Sequence, residues 1–164
     1  MDINRTIMGK KVLIVDDEQD ILNVLSELLE LCKIDTALCF DEARSLLDRH
    51  DYDVLVLDIM GVKGFELLEI ANKRGIPTLM LTAHALTEEN LKKSAENGAS
   101  YYVPKDRIGQ IATYIADVVE AKEKNKSPWI RWFERLADTF DVLFTGPNWR
   151  ENEKEFWKRI RREC

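Results

Sequence analysis

The sequence predicts an α/β domain built on an open parallel sheet, followed by a short helical tail. Three observations carry this. Short β-branched, apolar runs alternate five times with amphipathic stretches over the first 122 or so residues, the pattern of strands covered by helices on both faces. Polar residues stand at the ends of those runs, where parallel sheets place their ligand crevice. After Ala121 the composition changes to Lys122, Glu123, Lys124, Asn125, Lys126 and Ser127, a charged stretch without apolar periodicity.

Taken in order, residues 1–10 read as a polar N-terminal extension and residues 11–122 as the α/β domain. Lys11 to Val15 is the first strand, and Ile21, Leu22, Leu25, Leu28 and Leu29 then recur at helical spacing. Thr36 to Phe40, Asp53 to Leu57, Pro77 to Leu81 and Tyr101 to Val103 repeat the strand signature, each followed by a helix. Gly75 and Gly98 fall where helices should end. Residues 123–128 form a linker and residues 129–164 an aromatic-rich helical tail. Ser127 and Pro128 are an N-cap and first-turn pair for a helix with Trp129, Trp132, Phe133, Leu136, Phe140 and Leu143 on one stripe. Gly146 and Pro147 stop it. A second helix is expected from Asn148, with Glu151 as capping-box partner and Trp149, Phe156, Trp157 and Ile160 as its apolar face.

A hydrophobic content of 45% in 164 residues is enough for a real core. The longest apolar runs are strand-sized, so no membrane span is expected, and the polar N-terminus lacks the apolar segment of a secretory signal. A cytoplasmic protein is the expectation. Cys32, Cys39 and Cys164 are odd in number and lack Cys-x-x-Cys spacing, which argues against a disulfide framework or zinc site; two of them are expected as buried small hydrophobes. The net charge of −6 divides at Lys126 into roughly −7 and +1, so neither part reads as a nucleic-acid binder. The 38 or so residues after Lys126 make two helices at most, too little for a DNA-binding output domain.

The strand ends form a coherent chemical set: Asp16 and Asp17 after the first strand, Asp58 after the third, Thr82 after the fourth and Lys105 after the fifth. Three carboxylates in one crevice repel one another, and protonation or a hard divalent cation relieves this. Mg²⁺ suits the set, because it takes a few carboxylate oxygens, keeps waters and accepts a phosphate oxygen. That arrangement fits phosphoryl transfer, with one carboxylate as nucleophile, the Lys105 ammonium neutralising charge and the Thr82 hydroxyl donating to a phosphoryl oxygen.

The segments KVLIVDDE, VLVLDIM, LMLTAHA and GASYYVPKD, in that order on the strand ends, resemble response-regulator receiver domains over about residues 10 to 122. The resemblance implies a flavodoxin-like, doubly wound five-stranded parallel sheet in the order 2-1-3-4-5. It implies Asp58 as phosphoacceptor, Asp17 as a direct Mg²⁺ ligand, Asp16 as a ligand largely through water and the Met60 backbone carbonyl as a further one. Lys105 matches the phosphate-contacting lysine. Thr82 and Tyr102 match the switch pair, in which the hydroxyl moves toward the phosphoryl group and the ring turns inward. The implied function is a two-component phosphoacceptor that receives its phosphoryl group from a histidine kinase or phosphotransfer protein and signals to a downstream protein target. It implies no enzyme activity beyond self-catalysed phosphoryl acceptance and hydrolysis. Two departures stand out: the stretch from Asp58 to Gly64 is about two residues short and lacks the common proline, and Pro104 precedes Lys105 rather than following it.

Two other functions compete. A degenerate receiver would act as an unphosphorylated adaptor. A phosphatase of the haloacid-dehalogenase kind needs an acid/base aspartate two residues after the nucleophile, where this chain has Met60. His50 and His84 read as surface residues rather than phosphocarriers, and His84 and Met60 lie near the crevice mouth, where they would tune access of hydrolytic water. All four tryptophans and eight of the fourteen aromatic residues lie beyond Lys126, on stripes neither helix can bury alone. The tail is therefore expected to dock, either back on its own domain or in a homodimer, with another protein next. Membrane insertion ranks last, because Glu134, Asp138 and Asp141 would meet anionic lipid unfavourably.

Overall fold

The computed structural model describes residues 2–83 and 87–162. The chain begins with a five-residue helix, α1 (Ile3–Ile7), where the sequence read only an extension. The Asp2 side chain caps it by accepting from the Arg5 amide, and the buried Ile7 is what ties it to the domain.

The elements then alternate: β1 (Lys11–Val15), α2 (Gln19–Leu28), β2 (Lys33–Ala37), α3 (Phe40–Arg49), β3 (Val54–Asp58), α4 (Gly64–Lys73), β4 (Thr78–Thr82), α5 (Glu88–Glu96), β5 (Tyr101–Pro104), a 3₁₀ segment (Lys105–Gln110) and α6 (Ile111–Glu123). All five strands are parallel, in the order β2-β1-β3-β4-β5. The chain therefore has the flavodoxin-like fold expected from the resemblance.

The central strands β3 and β4 are buried at every position, as a sheet covered on both faces requires. β2 runs Lys33–Ala37, three residues earlier than expected. It is an edge strand with only Ala37 fully buried, so it lacks the apolar run that marks the others. α4 and α5 end where expected, at Gly75 and Gly98, which both take positive φ.

α6 contributes one face of the core and ends at Glu123. The tail follows as α7 (Trp129–Leu143), α8 (Asn148–Glu151) and α9 (Lys154–Arg161). Ser127 does cap α7: its hydroxyl oxygen accepts from the Trp129 amide at 3.2 Å, while its own proton goes to the Ile160 carbonyl at 2.7 Å. The second tail helix is broken at Asn152 and Glu153, and the expected Asn148–Glu151 capping box is not formed, Pro147 preceding α8 without a side-chain cap.

The tail folds back on its own domain against the β5 edge. Trp129, Trp132, Leu136, Phe140, Trp149, Phe156 and Trp157 are all buried. Most of the area of the expected stripes is thus covered within one chain, while Phe133 and Ile160 are half-buried and Leu143 is exposed. Indole N–H groups of Trp129 and Trp132 donate to the backbone carbonyls of Ala99 and Tyr102 at 2.9 and 2.8 Å, satisfying acceptors on the strand edge. Asp117 of α6, itself buried, accepts from Tyr101 at 2.7 Å and from both arms of the Arg135 fork at 2.5 and 3.1 Å. Lys92 on α5 pairs with Glu153 at 3.1 Å.

The cysteines differ from expectation. Cys39 is exposed and Cys32 half-buried, its thiol donating weakly to the Ile7 carbonyl at 3.4 Å; burial raises its pKa to about 11. Cys164 and His84 lie outside the described residues.

Candidate functional site

Parallel strands that stop in register deliver their last residues to one crevice. In this sheet Asp58 ends β3 opposite Leu81, Thr82 ends β4 opposite Pro104, and Asp16 follows β1, its amide held by the Ala37 carbonyl of β2 at 3.1 Å. Lys105 leaves β5 directly and reaches across the crevice. Its ammonium lies 2.9 Å from Asp16 Oδ2, 3.4 Å from Asp58 Oδ1 and 3.2 Å from Glu18 Oε1. Pro104 before the lysine completes β5 and does not prevent this reach.

Asp16 is fully buried and Asp58 nearly so, whereas Asp17 is exposed. Asp16 Oδ1 accepts from the Glu18 amide at 2.9 Å, which fixes the carboxylate. Its Oδ2 is close to Lys105 but poorly aligned for a hydrogen bond, leaving lone-pair capacity inside the crevice. Asp16, Asp17 and Glu18 present carboxylate oxygens within 4.8 Å of one another.

The electrostatics follow. Burial, then the charge of Asp16 and, more weakly, that of Asp17 raise the Asp58 pKa to about 6, against the opposing pull of Lys105. Burial likewise raises Asp16. Burial alone would lower Lys105, but its close contact with Asp16 and the charges of Asp58 and Asp16 outweigh this, and its pKa rises. One ammonium does not neutralise this set of carboxylates. Hard oxygen donors with surplus negative charge fit a hard divalent cation, so the residues present suit Mg²⁺.

The short turn after Asp58 is closed by two glycines. Gly61 has φ +78° and lies so close to the Asp17 carboxylate that a Cβ there would collide with it. Gly64 similarly packs on the Asp58 carbonyl as α4 begins. Met60 sits in this turn with a largely exposed side chain.

Thr82 is buried, and its hydroxyl lacks a well-aligned partner among the described residues, although the Tyr102 phenol lies beside it. Tyr102 is fully buried, its phenol beside the Thr82 side chain and its ring packed 5.6 Å from that of Phe140. Burial raises its phenol to about 12, despite stabilising contacts from Thr82 and the Thr87 backbone.

The structure therefore brings together Asp16, Asp17, Asp58, Thr82 and Lys105, with Tyr102 behind Thr82 and Met60 on the adjoining turn. Sequence reasoning gave no role to Glu18, Gly61 or Asp117. Glu18 directly follows the acidic pair and is the one of these that adjacency could have flagged. The other two act through contacts distant in sequence.

This fold and this crevice define a receiver domain. The family model described as response regulator receiver domain matches residues 12–116, and the chain belongs to that family. A two-component response regulator of Oryza sativa subsp. indica is 28% identical over 154 residues, covering 89% of this chain and 22% of the rice protein. One from Arabidopsis thaliana is 32% identical over 130 residues, covering 73% of this chain and 23% of its own length. The chain thus spans under a quarter of these plant relatives. A CheY-like receiver domain protein from Methanospirillum hungatei superposes with a TM-score of 0.66 at 28% identity, covering 71% of this chain and 98% of that one.

Proposed function

We propose that this chain is a phosphoacceptor response regulator that takes a phosphoryl group on Asp58 from a histidine kinase or phosphotransfer protein and signals through protein–protein contacts. The observation that supports this best is the convergence of Asp58, Asp16 and Lys105 at the ends of three different strands, with Lys105 within 3.4 Å of the Asp58 oxygen. In this reading an Asp58 oxygen attacks phosphorus, the donor's phosphorus–nitrogen bond breaks, and its electron pair leaves with the imidazole. A pKa of about 6 leaves the carboxylate ionised at neutral pH yet more basic, and so more nucleophilic, than an ordinary aspartate.

Lys105 neutralises charge on the transferred group and Thr82 donates to one of its oxygens. Asp17 and Asp58 would hold Mg²⁺ directly, with Asp16 acting through water and the Met60 carbonyl adding a ligand. The ion would supply a positive charge for the phosphoryl oxygens. Water later hydrolyses the acyl phosphate, so the chain catalyses only its own phosphorylation and dephosphorylation. We place this chemistry in the cytoplasm with its phosphodonor; among the described residues no helix is long and apolar enough to cross a membrane.

Incubation with acetyl phosphate and Mg²⁺, followed by intact-mass spectrometry, tests the reading. One stable phosphoryl adduct per chain is expected. Continuous release of phosphate without an adduct would indicate a phosphatase, and no uptake would indicate an adaptor.

A further inference from the structure

The tail covers the residue that stands behind the phosphoacceptor crevice. From the crevice outward, Asp58 ends β3, Thr82 ends the neighbouring β4, and the Tyr102 phenol on β5 lies beside the Thr82 side chain. On its far side Tyr102 meets the tail's aromatic cluster: Phe140 packs on the ring, and Trp132, fully buried, donates to the Tyr102 carbonyl at 2.8 Å. Trp132 and Phe140 also pack on one another at 5.3 Å, and Trp132 stacks on Trp157 at 6.0 Å, so the clamp is continuous with α9.

We infer that the tail is a built-in ligand of strand β5, holding Tyr102 inward through Phe140 and Trp132, so that tail docking and phosphoryl binding at Asp58 reinforce one another. A dianionic group on Asp58 attracts hydroxyl donors, and Thr82 on the adjacent strand end is a buried hydroxyl without an aligned partner among the described residues. Drawing Thr82 toward Asp58 leaves the inward Tyr102 ring as the group that fills the space behind it, because packed interiors do not keep voids. From the other side, a docked tail opposes outward rotation of that ring, since Phe140 and Trp132 would have to move first. Two ligands that select the same position of one residue are thermodynamically coupled, and the coupling is reciprocal.

This inference rests on Asp58 being the phosphoacceptor, and the test separates the two. The full chain is titrated with beryllofluoride, an acyl-phosphate mimic, in the presence of Mg²⁺. Amide hydrogen exchange is followed across α7 to α9. The mimic is expected to increase protection of tail amides in the wild-type chain. Phe140→Leu, which keeps an apolar side chain but loses the ring contact, and Trp132→Phe, which removes the indole donor, are expected to weaken beryllofluoride binding by about fivefold or more. Wild-type binding with unchanged tail protection, or variants that bind as tightly as or more tightly than wild type, would overturn the coupling alone. Failure of the wild-type chain to bind the mimic at all would overturn the phosphoacceptor reading and this inference with it.

Discussion

Replacing the nucleophile should make the protein more stable, in a pH-dependent way. In the folded chain Asp58 has its pKa raised from 3.8 to about 6 by burial and by neighbouring carboxylates. A carboxyl whose folded pKa exceeds its unfolded one binds more protons when folded. Its contribution is therefore fully present below about pH 3.8 and is lost as pH rises through about 6. At roughly 1.4 kcal/mol per pKa unit, the charged form costs the fold up to about 3 kcal/mol at neutral pH. Asp58→Asn removes that charge at nearly constant size, and Lys105 keeps Asp16 and Glu18 as partners. The substitution should therefore stabilise by about 1–3 kcal/mol at pH 7.5 without divalent cations, and by close to nothing near pH 4. Urea unfolding of both proteins at the two pH values measures the difference. Equal midpoints at pH 7.5, or a less stable variant, would refute the view that repulsion and burial dominate at Asp58.

Asp17→Asn should lower Mg²⁺ affinity by about tenfold or more, since even outer-sphere ligand losses reach that size; titration calorimetry that shows no loss would count against the acidic cluster as the metal site. Gly61→Ala places a Cβ against the Asp17 carboxylate at a positive φ. A loss of about 1–2 kcal/mol in unfolding free energy, together with weaker Mg²⁺ binding, is expected, and full retention of both would show that the turn shifts freely. Asp117→Ala leaves the buried Tyr101 hydroxyl unpaired and releases Arg135 of α7. It should cost about 2 kcal/mol and raise hydrogen exchange in α7, whereas unchanged exchange would mean that the aromatic contacts alone seat the tail.

Much of this molecule is legible in its sequence. Strands β1, β3 and β4 are buried on both faces, and their uninterrupted apolar runs report that burial directly. The site was legible for a related reason, because a polar residue ending an apolar run in an α/β chain is delivered to the crevice. β2 was displaced by three residues because an edge strand needs no apolar face, and Lys33, Asp35 and Thr36 show none. α1 was missed because five residues show no period; Ile7 becomes informative only once its packing place exists. Gly61 and Asp117 carry no local signal either, since one matters through Asp17 and the other through Arg135. For the tail, helical spacing gave the first helix and its buried stripe. The surface that receives it, the β5 edge and Tyr102, is a tertiary choice that periodicity does not encode.

Phosphorylation of Asp58 itself is the step on which the proposed function turns. Wild-type protein and Asp58→Asn are treated with acetyl phosphate and Mg²⁺, and the adduct is located by peptide mass spectrometry after trapping of the acyl phosphate with borohydride. A single modified peptide containing residue 58 is expected in the wild type and none in the variant. A modification of equal yield on another residue, or one that persists in Asp58→Asn, would contradict it.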